Sequence, residues 1–368
     1  MEVVRFSSFD ELSAHADVWD HMAVGVPFRS WTWLSTWWRH YSATGQLYVL
    51  GVFNRGHLVG IAPWYRSTTF QHGRVLRCLG DGEVCSEYSA ILCEPGLEEL
   101  ISGVLGEWLV RARGWDHWDV IQLDSTEQED LVALSLAEHM AGQGCHLHSR
   151  AGQGCWRVAL PSTWEDYLDR FSKDRRKKIR RMHRRYIEGG LAILHTVHSP
   201  EQLTRAQDIL VDLHQRRRNT LGQPGCFASS RFRAFHEDVL PRLLQESRLG
   251  LHWVELEGRP IAAEYHLLGD ETVYCYQGGI APEAAGHSPG QIATLFALEQ
   301  AVENGYRAFD FLRGNEPYKR QWRAEFRPNV ELRIIAKRTA AQLRHGIWLA
   351  GCDVKHWVKE AMGGVNPH

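Results

Sequence analysis

One figure occurs twice along this chain, and the repetition restricts its fold more than any other feature. From Leu47 to Tyr65 two β-rich runs flank Asn54-Arg55-Gly56-His57, which reads as a hairpin with a glycine-containing turn. Between Gly250 and Leu268 the runs GLHWVEL and PIAAEYHLL flank Glu257-Gly258-Arg259, and a third strand, ETVYCYQGG, follows the Gly269-Asp270 turn. Each hairpin leads through a loop and an apolar-periodic helix to a strand in which aromatic residues surround one aspartate: WDHWDVIQL around Asp119 and YRAFDFL around Asp310. Gly56 lies 63 residues before Asp119 and Gly258 lies 52 before Asp310. A duplicated α/β unit with a longer loop in its first copy accounts for this pattern.

A chain of 368 residues exceeds what one hydrophobic core usually serves, so two domains are expected. The glycine-rich stretch from Gly142 to Gly154 reads as the linker, giving a first domain over 1–150, a second over 151–338 and a C-terminal amphipathic helix over 339–368. That helix presents Leu343, Ile347, Trp348, Trp357 and Val358 as apolar positions for docking. A CWRVAL strand and a helix opened by Ser162 follow the linker, and a longer helix is expected from about Pro200 to Arg218.

The formal charge of −2 excludes a global attraction to nucleic acid or anionic lipid. Eight cysteines without a CxxC pair read as reduced thiols. An N-terminus with early acids predicts no export signal, and no apolar run reaches membrane-spanning length, so a cytoplasmic location is expected. Cys145, His146, His148 and Cys155 lack the spacing of a zinc site, and no metal is expected.

Two segments carry chemistry. Gly286-His287-Ser288-Pro289-Gly290-Gln291-Ile292 joins a strand to a helix, and the free N–H groups and dipole of a helix start suit a pyrophosphate. The second is Tyr306 to Trp322, YRAFDFLRGNEPYKRQW. It resembles the FDF-x-RG-x-EPYK-xx-W pattern of CelD/BcsL-like acetyltransferases, a branch of the GNAT superfamily related to the tandem-domain FemABX proteins. Ser172-x-x-Arg175 and Leu213-His214-xx-Arg217 also look like that family's pattern.

The resemblance covers about residues 160–335 well and 30–125 weakly. It implies an α/β (α+β) chain with a tandem GNAT-like (acyl-CoA N-acyltransferase) fold: two mixed sheets flanked by helices, the active site in the second half and a degenerate first half shaping the acceptor cleft. It implies acetyl-CoA or another acyl-CoA as cofactor, held by Gln277, Gly278, Ser288, Gly290, Gln291 and Ile292, and a role in exopolysaccharide or cell-envelope assembly.

Acyl transfer needs an acceptor for a proton, donors for an oxyanion and a route to protonate the thiolate. Asp310 is the candidate to orient or deprotonate the acceptor, with Glu264 as the alternative base. Lys319 is the candidate to neutralise an oxyanion or a phosphate, and Tyr276 to protonate sulfur. Arg175, Arg217, Arg313 and Trp322 are candidate substrate contacts. The structural alternatives are a turn cap through Arg313 for Asp310, a core position for Tyr276 and a surface position for Lys319.

The stretch from Lys173 to Arg185 holds nine Lys or Arg and one Asp without interleaved aromatics. It reads as a solvated face or as contact with an anionic acceptor or the cofactor's 3′-phosphate. The expected partner is a small-molecule or carbohydrate acceptor. Competing functions are FemABX-like transfer from a charged tRNA and a non-catalytic GNAT-fold scaffold; peripheral membrane contact and oligomeric state stay open.

Overall fold

A computed structural model of the chain describes residues 1–112 and 116–363, with side chains as far as 351. Trp357 and Val358 therefore lie outside the described side chains. Two seven-position sheets form, and their strand orders match position for position. The first runs β1 (Glu2–Phe6), β2 (Gln46–Asn54), β3 (His57–Thr69), β4 (Gly73–Cys78), β6 (Val120–Glu127), β15 (Asn329–Ile335) and β7 (His146–Ala151), with the short β5 (Leu92–Cys93) on β3. The second runs β9 (Ala192–Thr196), β10 (Leu249–Leu256), β11 (Arg259–Leu268), β12 (Thr272–Ile280), β13 (Ala308–Asp310), β8 (Cys155–Ala159) and β14 (Glu325–Arg327).

Both repeated hairpins close on two residues of positive φ, Arg55 and Gly56 (51° and 84°) and Glu257 and Gly258 (51° and 75°). Such turns match the twist of paired strands. In each sheet the fourth and fifth strands are parallel and joined through a helix, Glu98–Ala112 in the first and Pro289–Glu303 in the second. The first paired residues are Val75 with Val120 and Thr272 with Ala308, so Gln122 stands where Asp310 does. Asp119, which the spacing matched to Asp310, precedes its strand and instead bonds the Arg74 N–H and Arg338.

One strand of the second half returns to the first sheet, so the sheets do not divide at the expected boundaries. The stretch taken as linker contains β7, an exposed edge strand with no apolar alternation to reveal it. β15, expected in the second domain, fills the sixth position of the first sheet between β6 and β7. The helix expected from Ser162 is capped instead by Thr163, whose hydroxyl accepts from the Asp166 N–H.

The largest core lies between the halves. Phe28, Trp33 and Trp37 of the first pack with Phe235, Tyr265 and Tyr274 of the second. Trp33 is fully buried, meets Phe235 edge-on at 5.0 Å and donates its indole N–H to Ser86 at 2.8 Å. The C-terminal helix (Thr339–Gly363) differs from expectation: Leu343 and Ile347 are exposed, and Ala341, His345 and Trp348 face β7 and β15, with Trp348 stacked on His345. Among the described residues no helix is long and apolar enough to cross a membrane.

One close approach fixes the helix Pro200–Thr220 against β12. A Cβ on Gly279 would stand 2.3 Å from the His214 nitrogen and 2.6 Å from the Leu213 carbonyl carbon, backbone atoms that cannot swing aside. Gly279→Ala is expected to destabilise by about 2–3 kcal/mol in denaturant titrations. Gly278→Ala, whose Cβ would meet nothing nearer than 3.4 Å, is the near-neutral control.

Candidate active site

β12 pairs with β13 only as far as Tyr274 and Asp310, after which the two strands diverge. A bulge between Tyr265 and His266 in the pairing with β11 leaves Tyr276 as the extra residue of β12. Bulges commonly re-aim strands beside active sites. The divergence opens a cavity of about 670 Å³ floored by Tyr276 to Ala281, walled by Glu264, Cys275 and Thr294, and closed at one end by Ser288 to Gln291.

The helix Pro289–Glu303 starts at this wall. Ser288 is left-handed (φ 58°) and its side chain makes no cap hydrogen bond. Proline supplies no N–H at the next position, and the Gln291 and Ile292 N–H groups bond the Ser288 carbonyl at 2.9 and 3.2 Å. Gly290 thus presents its N–H at the helix start, and a Cβ there would meet only Ile280, at 3.7 Å. Arg217 and Arg218, at the end of the Pro200–Thr220 helix, add positive charge to the rim.

Of the expected cofactor residues, Gln277, Gly278, Ser288, Gly290 and Gln291 line this cavity, whereas Ile292 is fully buried in the core. Arg217 and Arg313 line it, but Arg175 and Trp322 do not. Trp322 is fully buried under the Arg175 guanidinium, 5.1 Å from its ring, and its carbonyl accepts from the Tyr167 hydroxyl at 2.7 Å. These two residues hold the segment's end in the core.

Lys319 borders the cavity, yet its ammonium is consumed locally. It donates to the carbonyls of Leu312, Arg313 and Gly314 at 3.2, 2.5 and 3.1 Å and pairs with Glu316 at 2.9 Å. An ammonium has three protons, so this lysine fixes the Arg313-Gly314 loop and has none left for an oxyanion. Tyr276 is likewise committed: its hydroxyl donates to the Val84 carbonyl at 2.7 Å, in the first half, away from any thiolate in the cavity. Glu264 is in place at the wall. Burial pushes its carboxyl up, but His252 and His266 beside it hold it down to about 2.

Asp310, expected at the reacting centre, is fully buried and lies outside the cavity lining. It accepts from the Tyr88 hydroxyl of the first half and from the Leu312 N–H at 2.7 Å. Burial raises its carboxyl to about 6, against the lowering effect of those two donors. A folded-state value above the unfolded one adds stability as pH falls through 6, and this gain is complete below about 4. The advantage of wild type over Asp310→Asn should therefore grow, by up to roughly 3 kcal/mol, between pH 7 and pH 4 in denaturant titrations. An unchanged difference would remove the assignment.

The sequence did not single out Cys275, Thr294, Phe311 or Arg218 as site residues, nor the contribution of Glu87 from the first half. Glu87 is 1% exposed and pairs with Arg313, whose guanidinium also donates to Ser125 at 3.1 Å. Pairing with Glu87 outweighs burial and holds Arg313 above its usual range. Arg313 also borders a second cavity of about 420 Å³, lined by Arg77, Asp81 and Asp124 of the first half with Arg150, Glu331 and Arg333. That cavity lies where β4 and β6 diverge, as the first lies at β12 and β13.

Residues 173–320 match the family described as the acetyltransferase (GNAT) domain. A search of curated proteins finds no match. Among solved structures, FemX aligns with a TM-score of 0.64 at 12% identity, covering 93% of this chain and 99% of that one. A conserved protein of unknown function from Bacteroides thetaiotaomicron gives 0.53 at 10% identity, covering 88% and 97%. The C-terminal domain of a protein described as a lysylphosphatidylglycerol synthetase, from Agrobacterium fabrum, gives 0.52 at 12% identity, covering 89% and 94%. Together with the duplicated sheets, these likenesses show a tandem mixed α/β fold shared with FemX, in which residues 173–320 are similar to the acetyltransferase (GNAT) domain.

Proposed function

We propose that the protein is an acyl-CoA-dependent N- or O-acyltransferase, with its donor in the second-half cavity and its acceptor in the cavity lined mainly by the first half. One observation carries this reading: the unpaired edge of β12 beyond Tyr274 and the helix start at Ser288–Gln291 border the same cavity. The helix start, with Gly290 N–H and Arg217, suits a pyrophosphate. The open edge of β12 offers backbone N–H groups to a thioester carbonyl as its oxygen becomes anionic.

In this reading the acceptor's nitrogen or oxygen attacks the thioester carbon and forms the new bond. The C–S bond then breaks, and the thiolate gains a proton as the acceptor loses one. Arg313 borders both cavities and would orient the acceptor, and Glu264 is the carboxylate on the donor side. The first-half cavity mixes arginines with carboxylates. That supports a polar acceptor bearing hydroxyl or amino groups, the class to which the carbohydrates of envelope assembly belong.

Thermal unfolding with millimolar acetyl-CoA, against adenosine alone, tests the donor. Ligand at about 100 times its dissociation constant stabilises by roughly 2.7 kcal/mol, a shift of several degrees. No shift would favour a charged tRNA as donor, the reading supported by the exposed basic helix Lys173–His183. Binding would then weaken steeply with salt.

A further inference from the structure

Antiparallel pairing sets His252 of β10 directly opposite Glu264 of β11, and His266, two residues further along β11, shares the face of Glu264. His266 Nε2 lies 3.0 Å and His252 Nε2 3.6 Å from the same oxygen, Glu264 Oε2. One ligand atom from each of the three lies within 4.8 Å of the other two. All are buried, at 4%, 9% and 3% exposure for His252, Glu264 and His266.

Hydrogen bonding alone does not explain the cluster. A carboxylate accepting from His266 would account for one imidazole, but His252 Nε2 is buried beside that carboxylate without a hydrogen-bond partner. Buried ring nitrogens ordinarily find one. Zinc binds imidazole nitrogen at about 2.0–2.1 Å and carboxylate oxygen at about 2.0–2.2 Å, so ligand atoms on one ion stand about 2.9–3.6 Å apart for angles of 90–120°. Both separations from Glu264 fall in or at the edge of that range.

We propose that His252, Glu264 and His266 bind one divalent transition-metal cation, zinc or ferrous iron in class, at the wall of the donor cavity. Two imidazoles and one carboxylate are a ligand set that leaves coordination positions open, and they select against magnesium and calcium, which take oxygen. Glu264 lines the cavity and its other oxygen lies 3.4 Å from the Thr294 hydroxyl, so this carboxylate joins the buried cluster to the cavity wall. Cys275, paired with His266 across the sheet, supplies a soft side chain as a control.

The test uses the full chain, stripped with chelator and titrated with cobalt(II) alone. Visible d–d absorption should saturate at one cobalt per chain and disappear on adding zinc. His252→Gln and His266→Gln should each weaken binding by about 100-fold or more, since even residues behind metal ligands cost 10–100-fold; Cys275→Ser should change neither stoichiometry nor spectrum. Absent d–d bands, or cobalt binding unaltered in both histidine variants, would overturn the site. Should a variant fail to fold, zinc-edge X-ray absorption of the wild-type chain decides: two imidazoles with oxygen sustain the proposal, and an all-oxygen shell refutes it. Acetyl-CoA binding is read separately, so either proposal can fail without the other.

Discussion

Arg313→Leu should destabilise the folded chain by about 3–5 kcal/mol, because it strands the Glu87 carboxylate in the interface between the halves. Glu87 is 1% exposed, and its second oxygen already lacks a hydrogen-bond partner, so the guanidinium is its main compensation. Breaking a buried pair costs more than replacing it. The double variant Arg313→Leu/Glu87→Leu should therefore recover most of the loss in denaturant titrations. Additive losses would mean that the two side chains act independently.

Gly290→Trp should abolish the stabilisation by acetyl-CoA, lowering affinity at least ~100-fold and removing the roughly 2.7 kcal/mol available at saturating ligand. A Cβ at Gly290 meets only Ile280, at 3.7 Å, so the ring is free to extend into the cavity. The melting temperature without ligand should stay close to wild type. A variant that melts normally and still responds fully would remove the cofactor from this cavity.

Much of the fold was legible in the residues. Hairpins, helix periods and turn glycines are local, and the hairpin, the crossover helix and the strand after it form in both copies. The return of β15 to the first sheet was not legible. β7 is mostly exposed and shows no alternation, and β15 joins a sheet whose other strands lie roughly 180 residues or more before it, so nothing local announces its partner. The match of Asp119 to Asp310 failed because loop length, which spacing cannot resolve, shifted the register.

At the site, the helix start and β12 were readable because an anion cradle is built from consecutive backbone groups. Side-chain roles were less so. Lys319 and Tyr276 sit at the expected place but direct their donors to the carbonyls of Leu312 to Gly314 and of Val84, and the same residue types in the same motif would read alike in either arrangement. Asp310 is claimed by Tyr88, 222 residues away in sequence. The histidine and glutamate cluster escaped a search for metal-ligand spacing because its members meet across a hairpin, not along a helix or a short loop.

The central claim is that one acyl-CoA molecule binds per chain, in the second-half cavity. Calorimetric titration of acetyl-CoA into the wild-type protein tests it most directly, and one saturable site per chain is the predicted result. No binding heat, with a charged tRNA bound in a steeply salt-dependent way instead, would contradict the claim.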